Sequence, residues 1–356
     1  MRLFSCSNCR STVHFDNSAC LTCGSGLGYR PSSFEMVAMD PSGNVIGDSA
    51  GSPYEARLCS NSSAAACNWL VEDDEPGGFC LACRHNTTIP DLGDLTNAEN
   101  WRKIEAAKRY LFYSLMRFRL PLITRTQDPQ EGLAFDFLAD NAGANDAAPV
   151  LTGHDSGLIT LNIAEASDAE REARRVSLGE PFRTLVGHFR HEIGHYYWDR
   201  LVRDGGHLDQ CRAVFGDDSQ DYNGALQQYY ANGPQPGWDQ AFISAYASCH
   251  PWEDFAETWA HYFHIVDALE TAHAFGLRTQ PETDSEGLAL RVTFDPYKAF
   301  NATVLVNAWV PLTLAVNSIN RSMGQRDLYP FVLSVPVAAK LEYIHQLIHG
   351  AEGPET

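Results

Sequence analysis

Positive charge is scarce in this chain. Its 356 residues carry 26 Lys and Arg against 45 Asp and Glu, a formal net charge of -19. Binding to nucleic acid or to anionic lipid sets basic side chains against phosphate, so neither partner class is expected. Long apolar runs are also missing: no stretch is read as reaching the roughly 18 uninterrupted apolar residues of a membrane span. The opening "MRLFSCSNCR" meets a cysteine pair before any apolar run, so it lacks the charged and hydrophobic regions of a secretory leader. These absences predict a cytoplasmic protein with no membrane partner. Repeats and low-complexity segments are absent as well, and a composition 44% hydrophobic and 20% charged is that of a folded chain.

Cysteine nearly disappears after residue 83, since eight of the ten precede that point. In a reducing compartment they are metal ligands or free thiols rather than disulfides. Cys6-x2-Cys9 and Cys20-x2-Cys23 form a doubled knuckle in "CSNCRSTVHFDNSACLTCGSGLGY", with Gly24 allowing a tight turn. Four thiolates at that spacing close a tetrahedron around one Zn2+. Cys59, Cys67, Cys80 and Cys83 form a second, stretched set, with His85 as an alternative ligand. Both sites would be structural, because four thiolates leave no open position. Segments this small depend on zinc for folding free energy. Cys211 and Cys249 read as buried free thiols.

Helical periodicity starts in "TNAENWRKIEAAKRYLFYSLMRFRL", where Trp101, Ile104, Ala107, Leu111, Leu115 and Phe118 share a face and Thr96 or Asn97 can cap. "LTGHDSGLITLNIA" reads as a hairpin or edge strand, and "EASDAEREARRVSL" as a charged helix. A long helix opened by Pro181 follows, then one over "YNGALQQYYANG" stopped by Gly233. "QAFISAYASCHPWEDFAETWAHYFHIVDALETAHAFG" reads as helical on both sides of Pro251. Residues 278–295 read as an acidic loop, and two apolar helices are expected near 303–323 and 335–349.

Within "GHFRHEIGHYYWDRL" stands the HExxH sequence His191-Glu192-Ile193-Gly194-His195. Residues four apart share a helix face, so both imidazoles can meet one metal ion, with Glu192 beside them as a general base. That pairing supplies hydrolysis with a Lewis acid and a proton acceptor. A third protein ligand must come from elsewhere. "HPWEDFAETWAHYFHI" offers Glu253 and Glu257 on one face, while Asp199, His207, His250, His261 and His264 compete. His188 reads as structural.

The chain resembles a bacterial family of zinc-binding metallopeptidases with a cysteine-rich region ahead of a zincin domain. The resemblance runs nearly full length through "CSNCRSTVHFDNSACLTCGSGLGY", "ACNWL", "FCLACRHNTTIPDL", "ITLNIAEA", "FRTLVGHFRHEIGHYYWDRL" and "HPWEDFAETWAHYFHIVDALETA". It implies an α+β fold: zinc-ribbon modules over 1–30 and 31–95, then a mostly helical zincin-like domain over 96–356 with a small edge-strand sheet. Glu253 and Glu257 look like the gluzincin arrangement, which implies that Glu253 binds zinc and Glu257 orients a histidine ligand. By similarity to zincins, Ile159 and Leu161 would lie on an edge strand that pairs with a peptide substrate. Tyr246, as in lethal-factor-like zincins, or His261 would contact the substrate's oxyanion. The expected cofactors are one catalytic and two structural Zn2+, and the expected activity is peptide hydrolysis. Two rivals are a protein-binding scaffold acting through the ribbons and a nucleic-acid-associated protease.

Overall fold

The computed structural model describes residues 1–46, 56–72, 77–140, 150, 152–171, 184–282 and 287–350. The chain divides into two compact units: Met1–Phe112 with Ile123–Ser167, and Tyr113–Leu122 with Asp168–Thr356.

In the first unit, β1 (Phe4–Ser5) pairs antiparallel with β2 (Thr12–Val13), and β3 (Gly26–Arg30), β4 (Glu35–Met39) and β5 (Val45–Ile46) form an antiparallel sheet. β6 (Arg57–Leu58) pairs with β7 (Leu70–Val71). Phe4, Phe15, Tyr29 and Trp69 form the shared aromatic core, with Tyr29 centred 4.9 Å from both Phe15 and Trp69. Backbone bonds fix that contact, as Tyr29 N–H donates to Asn68 O at 2.7 Å. The sequence boundary at residue 30 thus falls inside the β3–β4 hairpin. Cysteine spacing marks ligands, whereas strand pairing decides which segments fold together.

Each cysteine quartet brings its four sulfurs within 4.8 Å of one another. Cys6 and Cys23 lie 3.8 Å apart, Cys9 and Cys20 3.6 Å, Cys67 and Cys80 3.8 Å, and Cys67 and Cys83 3.9 Å. Sulfurs at about 2.3 Å from a tetrahedral zinc would be separated by about 3.8 Å. The stretched second quartet therefore closes as well as the regular one. His85 is not needed: its Nδ1 lies 2.9 Å from Leu133 O, and burial lowers its pKa to about 4.

β8 (Asn86–Thr88), β9 (Ala134–Leu138), β10 (Gly153–Asp155) and β11 (Leu158–Asn162) form one sheet in the order β10-β11-β9-β8. The β10–β11 hairpin matches the expectation, but the edge position does not. β11 lies inside the sheet, antiparallel to β10 and parallel to β9. Ile159 pairs with Phe135 and Leu161 with Phe137, and all four side chains are buried. Period-two alternation made the strand legible, but its apolar face serves the core, where Ile159 and Leu161 are buried.

α1 (Leu95–Arg117) is capped two or three residues earlier than the expected Thr96 or Asn97: Asp94 Oδ1 accepts from Thr96 N at 2.7 Å and Asn97 N at 3.1 Å. Its apolar stripe is buried, together with an ion pair invisible to periodicity, Lys108 to Glu105 at 2.7 Å. Glu105 also receives Cys83 Sγ at 3.5 Å, tying the helix to the second quartet.

The second unit is helical: α2 (Leu185–Tyr197), α3 (Leu208–Phe215), α4 (Tyr222–Asn232), α5 (Pro251–Ala274), α6 (Ala302–Ser322) and α7 (Val335–Gly350). Thr184 caps α2, and its end runs into a π-helical stretch at Trp198–Arg203. Pro181 and most of the charged segment read as a helix before it lie outside the described residues. Ahead of Pro251 the chain makes short 3-10 turns at Trp238–Gln240 and Tyr246–Ser248 instead of the expected helix. The acidic loop includes a short β12–β13 pairing, Arg278–Thr279 with Leu290–Arg291. α6 has no uninterrupted apolar run as long as a membrane span. With a mean hydropathy of 1.5 it is nonetheless long and apolar enough to cross a membrane by length and composition, with 33% of that window buried.

α2 and α5 approach most closely at Gly194. A Cβ there would meet Ala256 Cα at 3.0 Å and Trp259 Cβ at 3.3 Å. Gly194→Val should overpack this contact, destabilise the protein by about 1–3 kcal/mol and weaken metal binding at His191 and His195. Thermal unfolding and metal content check this; a variant with wild-type midpoint and content would refute the close-contact account. Cys80→Ser should lower zinc content by one per chain and expose the first unit to limited proteolysis. An unchanged zinc content would remove the second quartet as a metal site.

Candidate metal centre

The centre is built from the middle of α2 and the first turn of α5. His191 and His195 lie one turn apart on α2. α2's rotation is fixed by Arg190, whose guanidinium pairs with Asp267 and approaches His264 Nδ1 at 2.6 Å; Asp267 also accepts from Ser114 at 2.8 Å and from Tyr297. On α5, His250 caps the helix by accepting from Trp252 N at 3.1 Å, and Pro251 occupies a first-turn position where no amide hydrogen is needed. Glu253 follows in that turn, where the helix dipole favours a carboxylate.

Three ligand atoms converge there. His191 Nε2 lies 3.2 Å from His195 Nε2 and 3.0 Å from Glu253 Oε2, with His195 Nε2 3.5 Å from the same oxygen. Glu253 Oε2 is buried, with the two imidazole nitrogens as its near polar neighbours. Nitrogen and oxygen ligands at about 2.0–2.1 Å from a tetrahedral zinc would be roughly 3.3 Å apart, so these side chains fit the ion. His191 Nδ1 lies 2.8 Å from Glu257 Oε1, and Glu257 Oε2 accepts from Ser244 Oγ at 2.5 Å. A proton on Nδ1 in that bond leaves the Nε2 lone pair facing the cluster.

Burial and neighbouring charge act together on the same groups. Burial opposes charge on His191, but hydrogen bonds and charge from Glu253 and Glu257 hold its pKa well above the usual range. Glu253 is also penalised by burial, yet His195 and His191 hold it well below the carboxylate range. Burial raises Glu192's pKa, while His188, His191 and His195 more than offset this, so the group is a carboxylate near neutrality.

The rival ligands are engaged elsewhere. Asp199 pairs with Arg203 at 3.2 Å, and His207 with Gln210 at 2.9 Å. His250 is the cap, His264 meets Arg190, and His261 Nδ1 lies 2.8 Å from Tyr329 OH. Tyr246 is partly buried with its ring 5.9 Å from that of His191.

Several residues escaped sequence reasoning. His188 Nε2 lies 3.1 Å from Glu192 Oε1, a four-residue helical spacing that could have revealed it. The Trp252 ring packs against that of His195, centres 3.8 Å apart and planes tilted by 36°. Tyr222 donates to Glu253 Oε1 at 2.6 Å, and Ser244 supports Glu257 from thirteen residues upstream. No periodicity links those last two to their partners.

Two thiolate quartets and a separate two-histidine, one-carboxylate cluster define a zinc-binding protein of metallopeptidase type. Residues 97–347 match the family described as "Putative zinc-binding metallo-peptidase", and residues 3–94 match a zinc-ribbon domain. The chain belongs to this metallopeptidase family. It is 43% identical over 349 residues to an uncharacterized protein of Mycobacterium bovis and to one in each of two Mycobacterium tuberculosis strains. Those alignments cover 98% of this chain and 95% of each relative. No solved structure matches it.

Removing the Glu257 bond should be felt through His191. Glu257→Gln is expected to weaken zinc binding at the histidines on the order of 10–100-fold while leaving the quartets filled. Chelator competition measures this, and wild-type affinity would show that Glu257 does not orient the ligand.

Proposed function

We propose that the protein is a gluzincin-like zinc peptidase, with Zn2+ held by His191, His195 and Glu253 and two further zinc ions in the cysteine quartets. The observation that carries this reading is the convergence of three ligand atoms within 3.5 Å, with the buried carboxyl of Glu192 next in sequence to His191. A bound zinc ion supplies Lewis acidity that lowers the pKa of water toward neutrality and polarises a carbonyl.

The chain's own groups supply the proton handling. Glu192 accepts the attacking water's proton and returns it to the leaving amine nitrogen. His188 holds Glu192 Oε1 at 3.1 Å, which steadies its carboxylate. Glu257 and Ser244 keep His191 in the tautomer whose Nε2 faces the metal. Tyr246 is assigned to the substrate's oxyanion, where a phenol donor stabilises developing charge. Peptides or proteins are the proposed substrates, and the two thiolate quartets suit a reducing, cytoplasmic setting.

Glu192→Gln should keep its full zinc content and lose about 10²–10⁴-fold in peptide cleavage. The assay pairs metal analysis with digestion of a peptide library followed by mass spectrometry. Wild-type turnover in that variant would sink the mechanism.

A further inference from the structure

We propose that Tyr222 is a positioning residue that makes Glu253 a one-oxygen metal ligand. The inference rests on the metal-site reading above and concerns how that site is kept open. A carboxylate can offer a metal one oxygen or two, and the choice sets how many positions remain for exchangeable ligands.

The two oxygens of Glu253 have different surroundings. Oε1 accepts the Tyr222 hydroxyl at 2.6 Å. Oε2 faces the cluster instead, 3.0 and 3.5 Å from the two imidazole nitrogens. A short phenol bond draws electron density from Oε1 and holds it turned away from the cluster. Two imidazoles and one oxygen then fill three corners of a tetrahedron, leaving the fourth for water or substrate. Two-oxygen binding by Glu253 would crowd that corner.

Tyr222 is itself tightly placed. It opens α4, whose start is fixed by Asp221 accepting from Gly224 N at 3.1 Å. Gly224 suits this cap because a Cβ there would meet Asp221 Oδ2 at 2.5 Å. The Tyr222 ring stands edge-on to His250 at 5.3 Å and to Trp252 at 5.5 Å. Trp252 in turn packs against His195 with ring centres 3.8 Å apart and planes tilted by 36°, so one aromatic bracket holds a histidine ligand and the hydroxyl that restrains the acid. Across 31 residues, Tyr222 meets Glu253 by tertiary packing alone.

The test uses full-length wild type, Tyr222→Phe and Glu253→Ala. Phenylalanine keeps the ring packing and removes only the hydroxyl. Zinc per chain is measured first, then zinc retention against a graded chelator, then the visible spectrum after Co2+ replaces zinc at the histidine site. Three zinc ions are expected in the wild type, one for each ligand cluster, and two in Glu253→Ala. Tyr222→Phe should bind the histidine-site metal on the order of 10–100-fold more weakly. Its cobalt d–d bands should weaken toward a five-coordinate pattern, with a wild-type unfolding midpoint. Wild-type affinity overturns the proposal, as does an unchanged cobalt spectrum, since a merely structural tie would not alter coordination number. Two zinc ions in both wild type and Glu253→Ala would overturn the metal-site reading and this proposal together.

Discussion

The second unit is organised around three buried polar groups that must be held together, because taking a histidine or a carboxylate out of water costs free energy unless it is paired. Two imidazole nitrogens and a carboxylate oxygen lie within 3.5 Å of one another, largely out of water. Such a cluster persists only if the surrounding structure overdetermines it. The restraints are visible: Glu257 and Ser244 behind His191, Tyr222 on the other Glu253 oxygen, Trp252 on His195, and the Arg190–Asp267 pair fixing α2's rotation. Gly194 admits α5 close enough for the two helices to share one ion.

The first unit follows a related rule with sulfur in place of nitrogen. Its strands are two to five residues long, and its aromatic core around Tyr29 and Trp69 is small. Sulfur separations near 3.8 Å match the edge of a zinc–thiolate tetrahedron, so metal binding and folding are linked there. The second quartet's uneven spacing is accommodated because the β6–β7 pairing brings Cys59 and Cys67 together across the intervening loop.

Much of this was readable from the chain. Doubled CxxC spacing gave the first quartet, HExxH gave two histidines one turn apart, and resemblance to gluzincins pointed to Glu253 and Glu257. The β11 strand was legible from alternation, but its place in the sheet was not, because strand order depends on partners distant in sequence. The cap of α1 was off by two or three residues because Asp94, Thr96 and Asn97 all suit the position. The turns before Pro251 were misread because apolar content there serves packing around the metal centre without a helical period.

The sequence by itself determined the residues whose partners are local: the paired cysteines, the two α2 histidines with Glu192 between them, and the helix-opening Pro251. These follow from backbone periodicity, which fixes distances over a few residues. Tertiary structure alone decided that β11 is internal, that His85 is spared from ligation, and that Tyr222 and Ser244 support the centre. Each of those outcomes depends on contacts between elements far apart in the chain, where spacing carries no distance information and packing makes the choice.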